Sequence, residues 1–134
     1  MNHPETIKRF FGEGARFEHL GLAVRSLAGE VKDAEITHDE ERRVNVAFIY
    51  IDDIKVELVE PADEKSPVTN ILNKGQSLYH MCFTVPVLEK AIKAARENGF
   101  HSISRIAPGK AYDNARVIWV FSKIYGLFEL IERV

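Results

Sequence analysis

Cysteine is almost absent: Cys82 is the one thiol in 134 residues. An intrachain disulfide is excluded, and the usage fits a reducing compartment. In an apolar stretch, that thiol reads as a small buried filler. No apolar run approaches the roughly 20 residues that a membrane span needs. No charge of one sign dominates either, since 18 Lys and Arg meet 20 Asp and Glu for a net of −2. Neither nucleic acid nor an anionic membrane is an expected partner. The opening Met-Asn-His-Pro-Glu-Thr lacks the charged and apolar regions of a secretory leader. A cytoplasmic protein is the expectation.

What is present is a globular composition, 46% hydrophobic and 28% charged, with length for one domain. Within it lies a repeat. Residues 78 to 85, Leu-Tyr-His-Met-Cys-Phe-Thr-Val, echo residues 17 to 24, Phe-Glu-His-Leu-Gly-Leu-Ala-Val. Later, Phe-Glu-Leu-Ile-Glu at 128 to 132 echoes Val-Glu-Leu-Val-Glu at 56 to 60. Each half therefore carries one His and then one Glu, and a repeat of this kind governs the expected fold.

The spacing adds to this. His19 and His80 are 61 residues apart, Glu57 and Glu129 are 72 apart, so the second half holds 11 more residues between its His and its Glu. That is close to three helical turns. The second half has a helical pattern at 87 to 98, with Leu88, Ala91, Ile92 and Ala95 as its buried stripe and Gly99 as its stop. The first half has only Ser-Leu-Ala-Gly-Glu at 26 to 30. The expected architecture is α+β: paired βαβββ modules forming a curved, cleft-bearing sheet, with the first helix shortened or missing. Module 1 is expected over about 17–60, a linker over 61–77 and module 2 over about 78–133, all in a single domain covering 1–134.

The remaining elements follow from local signals. An N-terminal helix is expected over about 4–11, with Ile7, Phe10 and Phe11 on one face. This helix, or a partner chain, is expected to cover the thinned module. Val44 to Ile51 and Lys55 to Glu60 read as strands around an Asp52-Asp53 turn. Ser66-Pro67 reads as a helix cap. Phe100 to Ile106, Arg116 to Phe121 and Leu127 to Ile131 read as strands, and 107 to 115 as a loop. On the first strand, Leu20, Leu22 and Val24 are the expected core, and His19, Gly21 and Ala23 leave space above the other face.

Two imidazoles and two carboxylates suit a divalent first-row metal: zinc, nickel, cobalt, manganese or iron. If a pseudo-two-fold axis relates the modules, His19, Glu57, His80 and Glu129 converge in one cleft. Glu60 and Glu132 also repeat, but lie three residues on and so on the opposite strand face; they read as solvated strand ends. Val46, Phe48, Trp119 and Phe121 are candidate walls for a substrate. Lys110, Asn114 and Arg116, in or beside a Gly/Pro loop, are candidates to meet an anionic tail.

These residues resemble the vicinal oxygen chelate (glyoxalase/bleomycin resistance) superfamily over residues 17 to 133. The likeness rests on the two His stretches, on Val-Glu-Leu-Val-Glu-Pro with the following Ser-Pro, and on Gly-Leu-Phe-Glu-Leu-Ile-Glu. The linker is most similar to the branch of methylmalonyl-CoA epimerase and of proteins named lactoylglutathione lyase. The resemblance implies paired βαβββ modules around a metal held by His19, Glu57, His80 and Glu129. It implies a metal-dependent isomerase or lyase that transfers a proton next to a carbonyl, with Glu129 or Glu57 as base. A CoA thioester or a glutathione adduct would be the substrate and a homodimer the assembly. Two other functions fit the same likeness: a non-catalytic small-molecule binding or sequestering protein, and a ring-cleaving dioxygenase.

Overall fold

The computed structural model describes residues 5–133. The first half supplies β1 (Arg16–Ala23), β2 (Thr37–Asp39), β3 (Val44–Ile51) and β4 (Ile54–Pro61), and α1 (Pro67–Asn73) links it to the second. The second half supplies β5 (Leu78–Val85), α2 (Leu88–Glu97), β6 (His101–Ser102), β7 (Ala107–Gly109), β8 (Ala115–Ser122) and β9 (Gly126–Glu132). These strands make one curved sheet in the order β2-β3-β4-β1-β5-β9-β8-β6, with β7 also on β8.

The register exposes the repeat. β1 is parallel to β4, and β5 is parallel to β9. β1 and β5 meet antiparallel at the centre, with His19 across from Cys82 and Gly21 across from His80. Exchanging the two halves carries each of these pairs into the other, which is the expected pseudo-two-fold relation. Local chemistry sets the connections. Asp52 takes a left-handed φ of 54° in the β3–β4 turn, a conformation that Asp tolerates. Ser66 Oγ accepts from the Val68 amide at 3.3 Å and Pro67 opens α1. In α2, Leu88, Ala91 and Ala95 are buried against β8 and β9 with Phe100, Ile118, Val120 and Leu130.

Several expectations give way. No helix forms over residues 5–11, and Pro4 lies outside the described residues. Instead the chain lays Phe10 and Phe11 on aromatic partners. The ring of Phe11 lies 5.4 Å from those of Phe83, Phe100 and Phe128, contacts that add to plain apolar burial. All three partners belong to the second module, so this segment does not cover the thinned first one. The first module covers itself: Leu27, 1% exposed, packs with Ala47, Val56 and Leu58, and Val31 and Ile36 pack around them.

Glu60 and Glu132 are not solvated strand ends. The Leu27 amide donates to Glu60 Oε1 at 2.8 Å, and the Leu88 amide donates to Glu132 Oε2 at 2.8 Å. Leu27 and Leu88 stand eight residues after His19 and His80 in turn, so each glutamate fastens the same point of its module. In the second half that point starts α2. In the first, the anchor and its buried leucine survive where the helix does not. The expected strand at 100–106 shortens to His101–Ser102, and the expected loop at 107–115 holds β7 and a single 3-10 turn over Lys110–Tyr112. Finally, Leu20, Leu22 and Val24 are only half-buried, whereas His19, Gly21 and Ala23 are buried.

Candidate metal centre

His19 and His80 sit on the two central strands, and Glu57 and Glu129 on the strands flanking them. Glu57 stands beside Gly21 of β1 and Phe48 of β3, and Glu129 beside Cys82 of β5 and Trp119 of β8. None of the four ligands is more than 5% exposed. The space foreseen above Gly21 is filled by the His80 ring: a β-carbon at Gly21 would lie 1.9 Å from His80 Cε1. Glycine is therefore what admits the second imidazole.

The four side chains point one atom each at a common centre, and those atoms lie within 4.8 Å of one another. His19 Nε2 and His80 Nε2 are 3.4 Å apart. Glu57 Oε1 lies 3.5 Å from both nitrogens; Glu129 Oε1 lies 3.4 Å from His19 Nε2 and 3.5 Å from His80 Nε2. Such separations are long for strong hydrogen bonds. They are separations that atoms sharing one ion at bonds of about 2.0–2.2 Å can take. Two imidazole nitrogens facing each other between two carboxylates have the donor chemistry of a cation site, so the residues fit a divalent metal.

The electrostatics agree. Burial opposes a charge on His19, but hydrogen bonds with Cys82, Glu129, Glu18 and Glu57 outweigh it and raise the pKa well above its ordinary value. His80 moves the same way, against its own burial, through Glu129 and Glu57. Glu57 is held well below the usual carboxylate range; burial works against this, and hydrogen bonds to both imidazoles outweigh it. Without an ion, protons would balance the paired carboxylates.

The supporting contacts differ between the halves. His19 Nδ1 pairs with Glu18 Oε1 at 3.0 Å, and Lys55 Nζ reaches the same oxygen at 2.9 Å. The hydrogen bond with His19 and the Lys55 charge pull the Glu18 carboxyl down to about 2, against its partial burial. His80 Nδ1 is buried with no such partner among the described residues. Cys82 and Tyr112 have their pKa values raised, first by burial and then by the nearby carboxylates, so both keep their protons. A catalytic thiolate is thereby disfavoured.

Tyr112 escaped the sequence reading. Its hydroxyl donates to Glu57 Oε2 at 2.6 Å and lies 3.4 Å from both Glu129 Oε1 and His19 Nε2. It sits in the stretch read as a plain loop. Gly109 before it, and the turn-prone Asp113-Asn114 after it, were the available signs of a chain bent back toward the centre. Glu18 was also missed, although it directly precedes a ligand.

A cavity of about 820 Å³ opens beside the centre, and both Glu57 and Glu129 line it. Its walls are mainly apolar, with Val44, Val46 and Val59 from the first half, Val68 from the linking helix α1, and Ile103, Ile106, Trp119 and Leu127 from the second half. Arg42, Arg43, Arg105 and Lys110 also line it. Of the expected substrate contacts, Val46 and Trp119 are here. Four others are not among the lining residues. Phe48 packs behind the ligands, 5.6 Å from the His19 ring and 5.9 Å from that of Tyr112. Phe121 faces His101, Asn114 holds a left-handed turn at φ 62°, and Arg116 is engaged by Glu89 and Glu132. Two carboxylates already answer that guanidinium, so Lys110 rather than Arg116 faces the cavity.

Known proteins resemble this chain in sequence and in fold. The family model described as Glyoxalase/Bleomycin resistance protein/Dioxygenase superfamily matches residues 13–118. The uncharacterized protein YqjC of Bacillus subtilis (strain 168) is 35% identical over 100 residues, which cover 67% of this chain and 71% of that protein. Mitochondrial methylmalonyl-CoA epimerase of Mus musculus is 29% identical over 100 residues, covering 66% of this chain and 56% of that enzyme, little more than half its length. The crystal structure of methylmalonyl-CoA epimerase from Mycobacterium tuberculosis superposes with a TM-score of 0.72 at 20% identity, covering 88% of this chain and 87% of that one. At that identity the likeness concerns the fold.

Proposed function

The chain belongs to the glyoxalase/bleomycin resistance protein/dioxygenase superfamily, and on that premise we propose that it is a metal-dependent isomerase or lyase moving a proton on a carbon next to a carbonyl. The observation that carries this reading is the convergence of His19, Glu57, His80 and Glu129 within 4.8 Å. When bound there, a divalent ion supplies Lewis acidity and stabilises negative charge that develops on a substrate oxygen.

The chain's own groups would do the rest. Glu129 or Glu57, both facing the cavity, takes the proton from carbon; a positioned base contributes about 10²–10⁴ in rate. Cys82 and Tyr112 stay protonated and do not compete for it. Val46 and Trp119 hold the substrate's apolar part and exclude water, which strengthens the electrostatics inside. Exposed Arg105 and Lys110, which form no ion pair among the described residues, suit the anionic end of a CoA thioester or a glutathione adduct.

The test combines metal content with turnover of methylmalonyl-CoA and of the methylglyoxal–glutathione adduct. The purified protein should carry about one divalent ion per chain and turn over one of the two substrates. His80→Ala and Glu129→Ala should each lose metal retention and activity. Unchanged turnover in both variants ends this reading.

A further inference from the structure

The repeat presents Glu57 and Glu129 as interchangeable, one per module. Among the described residues Tyr112 has no counterpart that would restore that symmetry. We propose that Tyr112 is a positioning residue that fixes Glu57 as a permanent ligand and keeps it out of the proton transfer. This assignment rests on the metal-dependent reading above.

Glu57 turns Oε1 toward the imidazoles and gives Oε2 to the Tyr112 hydroxyl at 2.6 Å. Both of its oxygens are engaged. A carboxylate held at both ends cannot swing out to reach a carbon without breaking a short, buried hydrogen bond. The same hydroxyl is 3.4 Å from Glu129 Oε1, so its hydrogen bond is directed at Glu57. Glu129 Oε2 receives no comparable bond among the described residues, and the side chain lines the cavity.

The chain around Tyr112 is built to hold it. Its ring stacks on His19 at 14° between planes and is 6% exposed. A β-carbon at Gly109 would lie 2.8 Å from Tyr112 Cδ2 and 2.7 Å from Val117 Cγ2, so only glycine lets the ring pass. Asp113 and Asn114 both take left-handed φ, 55° and 62°, and turn the chain straight back into β8. From the other module, Arg42 Nη1 donates to the Pro108 carbonyl at 3.0 Å while pairing with Asp39. Tyr112 thus bridges the halves through Glu57.

The test is a double-mutant cycle read by cobalt(II) binding, which needs no substrate. Tyr112→Phe keeps the ring and removes the donor. Loss of such an outer-shell partner should weaken cobalt binding about 10- to 100-fold. Because Tyr112 acts through Glu57, the same change should matter less than about threefold in a Glu57→Ala background and should keep its full cost in a Glu129→Gln background. Unchanged affinity in Tyr112→Phe, or an equal loss with and without Glu57, overturns the assignment while the metal reading stands. A wild-type protein that binds no divalent ion defeats the metal reading and the assignment with it. In metal-saturated protein, Glu129→Gln should lower kcat about 10²–10⁴-fold and Glu57→Gln much less; equal losses also overturn the assignment.

Discussion

The two halves share a scaffold and differ in what they hang on it. Each has a ligand His on a central strand, a ligand Glu on a neighbouring parallel strand, and a second Glu that fastens the backbone eight residues beyond the His. Beyond that fastening point they part. The second half continues into the ten-residue α2, and the first into an irregular segment that buries Leu27. Their imidazoles differ as well, His19 being held by Glu18 and Lys55, His80 packed on Gly21. The positions that set the four ligands are thus kept, while the helix that merely covers a sheet face is replaced by a cheaper apolar cover. Covering a face demands buried area; holding a ligand demands a particular atom in a particular place.

The largest expected breach of this comparison lies at Gly21, whose added β-carbon would collide with the His80 ring. Gly21→Ala should expel that imidazole and lower metal affinity at least 100-fold, on the order of losing a ligand's orientation entirely. Its counterpart Cys82 already carries a side chain, so Cys82→Ala should leave metal binding within about threefold and cost stability alone, on the order of 1–3 kcal/mol. Equilibrium metal titration and denaturant unfolding of both variants check the contrast.

A smaller effect belongs to the backbone fasteners. Glu60→Ala and Glu132→Ala should each destabilise the fold by about 1–3 kcal/mol by stranding a buried amide, measured by urea unfolding. Similar losses would mean that the fastener matters even without a helix to start. A neutral Glu60→Ala would mean that the first half has outgrown it.

The smallest effect is a pH dependence confined to the first half. The Glu18 carboxyl has its pKa lowered to about 2 by its hydrogen bond with His19 and by Lys55. A depressed carboxyl pKa adds stability above the ordinary value of about 4.5, and that stability is lost as pH falls from there toward 2. Metal-free Glu18→Gln should therefore be less stable than wild type at neutral pH, and the gap should close below about pH 4.5. A gap of constant size down to pH 2 would show that the Glu18 charge contributes nothing.

The ligand set was legible because it is written twice: a single His in an apolar strand says little, but His19 and His80 at matched positions, with Glu57 and Glu129 after them, mark a shared centre. The missing helix was legible as an 11-residue deficit. What replaced it was not, since Leu27 and Val31 follow no period. Strand parity placed Glu60 and Glu132 on the far face correctly, yet hid their role, because the partner is a backbone amide and leaves no trace in side-chain type. Tyr112 was invisible for a related reason. A loop residue reaches the centre through three special backbone positions, Gly109, Asp113 and Asn114, and composition reads such a stretch only as a turn. Phe10 and Phe11 carried helical spacing, but seven residues beside a ready aromatic surface gain more from that contact than from a helix.

One measurement bears most directly on the central claim that four side chains from duplicated halves hold a single ion. Metal-free protein titrated with cobalt(II) should bind one equivalent and release protons, because His19 and His80 hold theirs above the ordinary imidazole range, and His80→Ala should abolish both signals. Binding of no ion by the wild type, or equal binding by His80→Ala, would contradict it.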